Sequence, residues 1–452
     1  MKTLRVWLLL CLTVSAVRAE EPAGIRFFNG SWKDVLAEAK KQKKPVFVDI
    51  YTTWCGPCKQ MAKQAFPDTK VGEKFNANFV NYQIDAEKGE GIEVAKKYAV
   101  TAYPTSLYVS ADGDLIHRVI GYNGIPGMLT EADKAITAAK DPNPLSAMEK
   151  QYEAGTRDIN FMRAYLTKRA TVGMPNGDAL DMYMQSIPEA DWATDENLKL
   201  LAGNITSARS KAFDVLLQQQ PRLMMNIDLR ELSRKTSFAL SSAIQNDFRR
   251  AVDMKDENQL DAMLISNTQF QSLFRKPTKE MLDATANQYR MRFYQQTKNT
   301  DKYRMLAEAE ANRLMTTPID TIKAKDEAAY KRFQQQTAML PDSVKKSENF
   351  QKSAQMMERM ESNQVAGKLN SIAWTYFENM VDKNDLMQAV KWSERSLELS
   401  RSAAHLDTYA NLLHKTGRRA EAVKYQTEAI ALLKAKGEDT AKYEETLAKM
   451  KK

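Results

Sequence analysis

Glycine divides this chain in two. Ten of the 17 glycines lie at or before Gly127, and none falls between Gly203 and Gly367. Glycine opens the tight turns that sheets need and weakens helix interiors. A glycine-rich start followed by a Gln-, Met-, Ala- and Lys-rich remainder therefore constrains the chain to an α/β domain followed by an all-α region. Asp141-Pro142-Asn143-Pro144 sits between the two regimes and reads as a linker. The length allows two to four domains.

The first residues read as an export leader spanning 1–19. Lys2 and Arg5 precede the apolar run Val6 to Val14, and Val17-Arg18-Ala19 offers a cleavage site before Glu20. The run falls short of the roughly 20 residues that span a bilayer. The bulky Leu10 argues against a lipid anchor on Cys11. The expectation is a periplasmic or secreted chain, soluble after cleavage. The net charge is +9, with Lys2, Arg5 and Arg18 of the leader contributing to it. Acids and bases alternate elsewhere, as in Lys391 to Arg395. That pattern indicates a solvated mixed surface and argues against a nucleic-acid partner.

Before the linker, in 20–140, strands and helices alternate. Ser31, with Asp34 three residues on, predicts a capped helix to Lys43. Val46 to Ile50 is an almost continuous apolar run, as in a strand buried on both faces. The pattern predicts a helix from the cysteines to Phe66, a strand at 79–84 and a helix at 92–98. It then predicts a hairpin of 105–109 and 115–120 through Ala111-Asp112-Gly113-Asp114, and a closing helix at 131–139.

After the linker nearly everything reads as helix. In 145–360 only helix hairpins are visible, punctuated by prolines at 175, 188, 221, 277, 318 and 341. Met356, Met357 and Met360 read as core filler. In 361–452 a period emerges. Ala410, Gly417, Ala422 and Ala429 occupy the small positions of a tetratricopeptide repeat, and Leu406, Leu413 and Tyr425 its large ones. Ala389 and Ser396 lie 33 residues before Ala422 and Ala429, near the family period. The span from Ala373 to Ala389 is four residues longer than the repeat allows. The resemblance covers roughly 369–433.

Once a leader carrying Cys11 is removed, Cys55 and Cys58 are the only cysteines. They are too few for a scaffold and too close to close a stabilising loop, so chemistry is the reason to keep them. Cys55 precedes a helix and Cys58 sits in its first turn, where unpaired N–H groups favour a thiolate. Pro57 suits a helix start and stiffens the bridge. Cys55 would attack a client disulfide and Cys58 would resolve the mixed disulfide. Asp49, inside an apolar strand, would be buried, biased toward its neutral form, and placed as proton acceptor for Cys58. The Tyr103-Pro104 bond can be cis, leaving Tyr103 backbone groups free for an extended client. A zinc site fails on ligand count, since His117, His405 and His414 are the only histidines.

Trp54-Cys55-Gly56-Pro57-Cys58-Lys59 resembles the active-site motif of thioredoxins. Asp49 matches their buried aspartate, Pro104 their cis-proline and Gly121 their late glycine. The resemblance covers about 30–140 and is greatest to exported thioredoxin-like domains, including the terminal domain of membrane thiol:disulfide interchange proteins. It departs at Asn81, four residues before Asp85, where many thioredoxins carry a lysine. The resemblance implies a thioredoxin-like fold and a protein-disulfide reductase or isomerase with no cofactor and no metal. Its catalytic residues would be Cys55, Cys58 and Asp49, and its client contacts Trp54, Gly56, Pro57, Tyr103 and Pro104. Its partners would be disulfide-containing client proteins and a membrane thiol relay as electron donor. The competing expectation is a helical-repeat binding or scaffold protein whose redox head is secondary.

Overall fold

The computed structural model describes residues 24–452; the leader, its cleavage site and Cys11 lie outside the described residues. Two compact units emerge. One runs to Phe248 and includes Ile265–Arg275; the other comprises Arg249–Leu264 and Lys276–Lys452.

The first unit begins with α1 (Trp32–Gln42), β1 (Val46–Tyr51), α2 (Gly56–Gln64), α3 (Thr69–Asn78), β2 (Val80–Asp85) and α4 (Gly91–Lys97). It continues with β3 (Thr105–Val109), β4 (Leu115–Ile120) and α5 (Gly124–Ala138). The sheet order is β2-β1-β3-β4. The β1–β2 pair is parallel, and β1–β3 and β3–β4 are antiparallel. Ser31 and Asp34 form the expected capping box at α1, and Lys43 closes the helix in the left-handed conformation. β1 is buried along its length up to Tyr51. Phe47 of β1 and Tyr108 of β3 share a core with α2, α3 and α5: Phe47 packs on Phe75 (ring centroids 4.7 Å), and Phe79 on Tyr108 (5.2 Å).

Two elements differ from the sequence expectation. Helix α3 was not foreseen; Asp68 caps it by accepting the Val71 N–H (3.0 Å), and Val71 and Phe75 bury one face. Helix α5 starts seven residues earlier than 131, because Pro126 fits its first turn.

The same unit continues through α6 (Leu145–Glu153), α7 (Ile159–Thr171), α8 (Gly177–Gln185), α9 (Asp195–Asn204) and α10 (Lys211–Met225). Helix α11 (Arg230–Met254) belongs to it up to Phe248 and α12 (Glu257–Ser272) from Ile265 on, the residues between belonging to the second unit. Prolines 188, 318 and 341 do precede helices, but Pro221 lies inside α10. An internal proline costs roughly 3 kcal/mol. Packing on both sides holds this helix through it: Leu223 is fully buried, and Gln220 Nε2 donates to Ser233 O, Ser233 Oγ and Ser237 Oγ.

The second unit holds α13 (Lys279–Gln296), α14 (Thr300–Thr316), α15 (Ile319–Thr337), α16 (Asp342–Lys345) and α17 (Glu348–Glu358). It ends with α18 (Met360–Asn379), α19 (Lys383–Leu399), α20 (Ala403–Lys415), α21 (Arg419–Ala435) and α22 (Ala441–Lys451). Helices α18 and α19 pack as one pair, and α20 and α21 as another. Ala373, Ala389, Ser396, Ala410, Ala422 and Ala429 are all fully buried. The connection is 380–382 in the first pair and 416–418 in the second, so the longer first copy keeps its extra residues inside its helices. Met356 and Met360 are exposed, so neither fills a core in this chain.

Candidate functional site

Parallel pairing brings the C-terminal ends of β1 and β2 to one end of the sheet, and the antiparallel β3 starts at that same end. The loop 52–55, the loop after Asp85 and the Tyr103-Pro104 turn therefore meet there. This topology sets Trp54 beside Tyr103, with Asp49 two residues before the end of β1.

Cys55 is the N-cap of α2. Its Sγ accepts the Cys58 N–H at 3.1 Å, and its own N–H donates to Thr52 O at 3.2 Å. Pro57 sits in the first turn, where no hydrogen bond is lost. Cys55 and Cys58 are joined by a disulfide, with Cα atoms 5.3 Å apart. Both are buried, at 3% and 6% exposure. Gly56 and Pro57 beside them are exposed. A Cβ on Gly56 would meet nothing within 4 Å, so crowding within this chain does not demand glycine there.

Asp49 is buried on β1. Its Oδ2 accepts from Gln83 Nε2 at 2.9 Å, and its Oδ1 has no partner. Burial pushes its carboxyl up to about 7, against the smaller opposing effect of the Gln83 hydrogen bond. Asn81, at the position of the absent lysine, is engaged elsewhere: its Nδ2 donates to Arg26 O and Asn76 Oδ1. Gln83 was not singled out from sequence, yet period-two alternation and the register Asp49↔Gln83 put it on the aspartate's face.

Trp54 is 64% exposed and held by two contacts. Its Nε1–H donates to both carboxylate oxygens of Glu87 at 3.0 Å, and its ring stands edge-on to Tyr103 at 6.0 Å. Glu87 was also missed; its position just past the end of β2 is the signal that could have found it. The Tyr103-Pro104 peptide is cis, and Pro104 O accepts the Gly121 N–H at 2.8 Å. Gly121 has φ +86°, a conformation that glycine adopts freely. Burial, then Glu87 and Asp85, hold the Tyr103 hydroxyl above its ordinary range.

The histidines lie apart from this cluster. His117 on β4 is 2.6 Å from Glu131 and packs beside Tyr108; His405 Nδ1 is 2.6 Å from Ser400 O. Among the described residues no cluster of three or more His, Cys, Asp or Glu could hold a metal.

Residues 32–136 match the model of a thioredoxin-like domain family. The chain is 41% identical over 90 residues to thioredoxin of Echinococcus granulosus, covering 20% of this chain and 78% of that one. It is 38% identical over 89 residues to mitochondrial thioredoxin-3 of Saccharomyces cerevisiae, covering 18% and 60%. It is 36% identical over 91 residues to the thiol:disulfide interchange protein DsbD of Yersinia pestis, covering 20% and 15%. The chain thus spans 60% of the length of the second of these relatives and 15% of the third.

Proposed function

Since this chain belongs to the thioredoxin family through its first domain, we propose that it is a protein thiol–disulfide oxidoreductase that reduces or isomerises disulfides of client proteins. The observation that carries the reading is the Cys55 sulfur, which caps α2 and accepts a backbone N–H, a place where negative charge is stabilised.

In the reduced state the Cys55 thiolate attacks one sulfur of a client disulfide. A Cys55–client bond forms, the client S–S bond breaks, and the second client sulfur leaves as a thiolate. Cys58 gives its proton to Asp49 and attacks the Cys55 sulfur. The bond to the client breaks, and Cys55 and Cys58 are left as a disulfide. Two electrons have passed to the client, and its thiolates take up protons. In isomerisation a client thiol resolves the mixed disulfide instead.

The carboxyl of Asp49, shifted toward neutrality, is suited to taking a proton and returning it near pH 7. Client contact falls to Trp54, Gly56, Pro57, Tyr103 and Pro104, the open space beside Gly56 leaving room for an extended chain. The dithiol must be regenerated by a reductant, which in this reading is a membrane thiol relay. The charged and then apolar start of the sequence supports export to the periplasm or beyond. Among the described residues no helix is long and apolar enough to cross a membrane. The tetratricopeptide-like pairs α18–α19 and α20–α21 supply a surface for client or partner.

The test is trapping with Cys58→Ser in the full chain. Mixed disulfides through Cys55 are the expected outcome, and Cys55→Ser should abolish both trapping and reduction of a model disulfide. If Cys55 in the reduced protein alkylates at neutral pH no faster than a cysteine in an unstructured peptide, the redox assignment is wrong.

A further inference from the structure

Away from the cysteines, α7, α9 and the first turns of α11 line a cleft of about 780 Å³ in the first unit. Arg163, Thr167, Ala170 and Thr171 lie along one face of α7. Glu196, Lys199, Leu200 and Gly203 do the same on α9, and Arg234, Lys235 and Phe238 on α11. Small residues bring α7 and α9 together: a Cβ on Gly203 would stand 2.5 Å from the Ala170 Cβ. The wall is mainly apolar, and Phe238 is 74% exposed at its edge.

The rim is positive. Arg163 pairs with Glu196 (3.1 Å) and Lys235 with Glu231 (2.7 Å). Lys199 and Arg234 carry no ion pair among the described residues. Glu196 is the only acid among the lining residues, and Glu231 at the rim is held low by Lys235 and, more weakly, by Arg234 and Lys199, which leaves the cations in excess. The hydroxyls of Thr167 and Thr171 are spent on the carbonyls of Arg163 and Thr167. No cysteine or histidine lines it. The cleft thus offers an apolar bed and cations at its edge, without the convergent polar groups that orient a small molecule.

The geometry points to this cleft as a docking site for a protein segment that presents a large apolar side chain flanked by carboxylates. The inference rests on the reading that the chain handles client proteins, and it places that recognition on α7, α9 and α11 as well as on the C-terminal helix pairs. Apolar burial gives the segment its affinity, and Lys199 and Arg234 select acidic neighbours.

The experiment selects a displayed library of random twelve-residue peptides, lacking cysteine, on the oxidised full chain. The expected winners carry Phe, Trp or Leu beside Asp or Glu. Their fluorescence-anisotropy affinity should fall at least tenfold with Phe238→Ala, and at least tenfold with Lys199→Glu/Arg234→Glu. All three residues are exposed, so both variants should keep the wild-type circular dichroism and melting transition. Affinity should also weaken with salt. No enrichment, winners without acidic residues, or equal binding to both variants would overturn the inference. Reduction of a small model disulfide is measured on the same variants and should be unchanged. Loss of that activity in the wild type would count against the redox reading alone.

Discussion

Asp49 and Gln83 face each other across the parallel β1–β2 ladder, joined by one hydrogen bond of 2.9 Å from Gln83 Nε2 to Asp49 Oδ2. A buried carboxyl is thus held next to a neutral amide, with its second oxygen unpartnered. The consequences can be measured.

The first concerns stability against pH. The folded Asp49 carboxyl is raised to about 7 from an ordinary value of 3.8. The folded state therefore holds the proton more tightly than the unfolded state. This contribution is fully present below pH 3.8 and is lost as pH rises through about 7. Asp49→Asn should remove that dependence. In denaturant titrations of the oxidised protein, the wild type should lose on the order of 4 kcal/mol relative to the variant between pH 4 and 8. Parallel pH profiles would show that Asp49 is not the source.

The second concerns Gln83. A cation in its place favours the ionised carboxylate. Gln83→Lys should move the Asp49 titration down by about one unit or more, read by carbon NMR of the carboxyl. Gln83→Ala removes a hydrogen bond that stabilises the charged form, so it should move the titration up. A shift of the same sign in both variants would rule out this account of the site.

A third prediction follows from the close approach of α7 and α9. Gly203→Ala puts a methyl group 2.5 Å from the Ala170 Cβ. It should destabilise the chain by about 1–3 kcal/mol, despite the better helix propensity of alanine. In an Ala170→Gly background the same change should be neutral or favourable. The double-mutant cycle from chemical denaturation reads the coupling directly.

The fourth concerns a helix cap supplied from a distance. Asp326 on α15 is buried, and it accepts the Glu361 N–H (2.7 Å), the Ser362 N–H (3.1 Å) and the Ser362 hydroxyl at the start of α18. Asp326→Ala leaves these donors unpaired. A loss of about 2–3 kcal/mol is expected, with early hydrogen exchange at Glu361 and Ser362. Unchanged exchange there would mean that the cap is dispensable.

Much of the first domain was legible because its signals are local. The capping box of Ser31 and Asp34, the buried run of β1 and the hairpin at 105–120 all depend on neighbours within a few residues. The Cys55–Cys58 pair at the mouth of a helix is likewise visible in five consecutive residues. Helix α3 was missed although Asp68, Val71 and Phe75 announce it, because ten residues with two large buried side chains give only a weak helical period. Pro221 misled for the opposite reason: the local rule is real, but buried Gln220 and Leu223 outweigh it.

Alone, the sequence determined the division into an α/β head and a helical remainder, and the placing of a dithiol at a helix start. Both follow from short-range periodicity and backbone chemistry. The tertiary structure alone decided that Gln83 and not Asn81 meets Asp49, that Glu87 holds Trp54, that Asp326 caps a helix 35 residues away, and that α7, α9 and α11 leave a cleft. Each of those depends on register or packing between segments far apart in the chain. Sequence spacing does not encode such distances until the sheet and the helix pairs have formed.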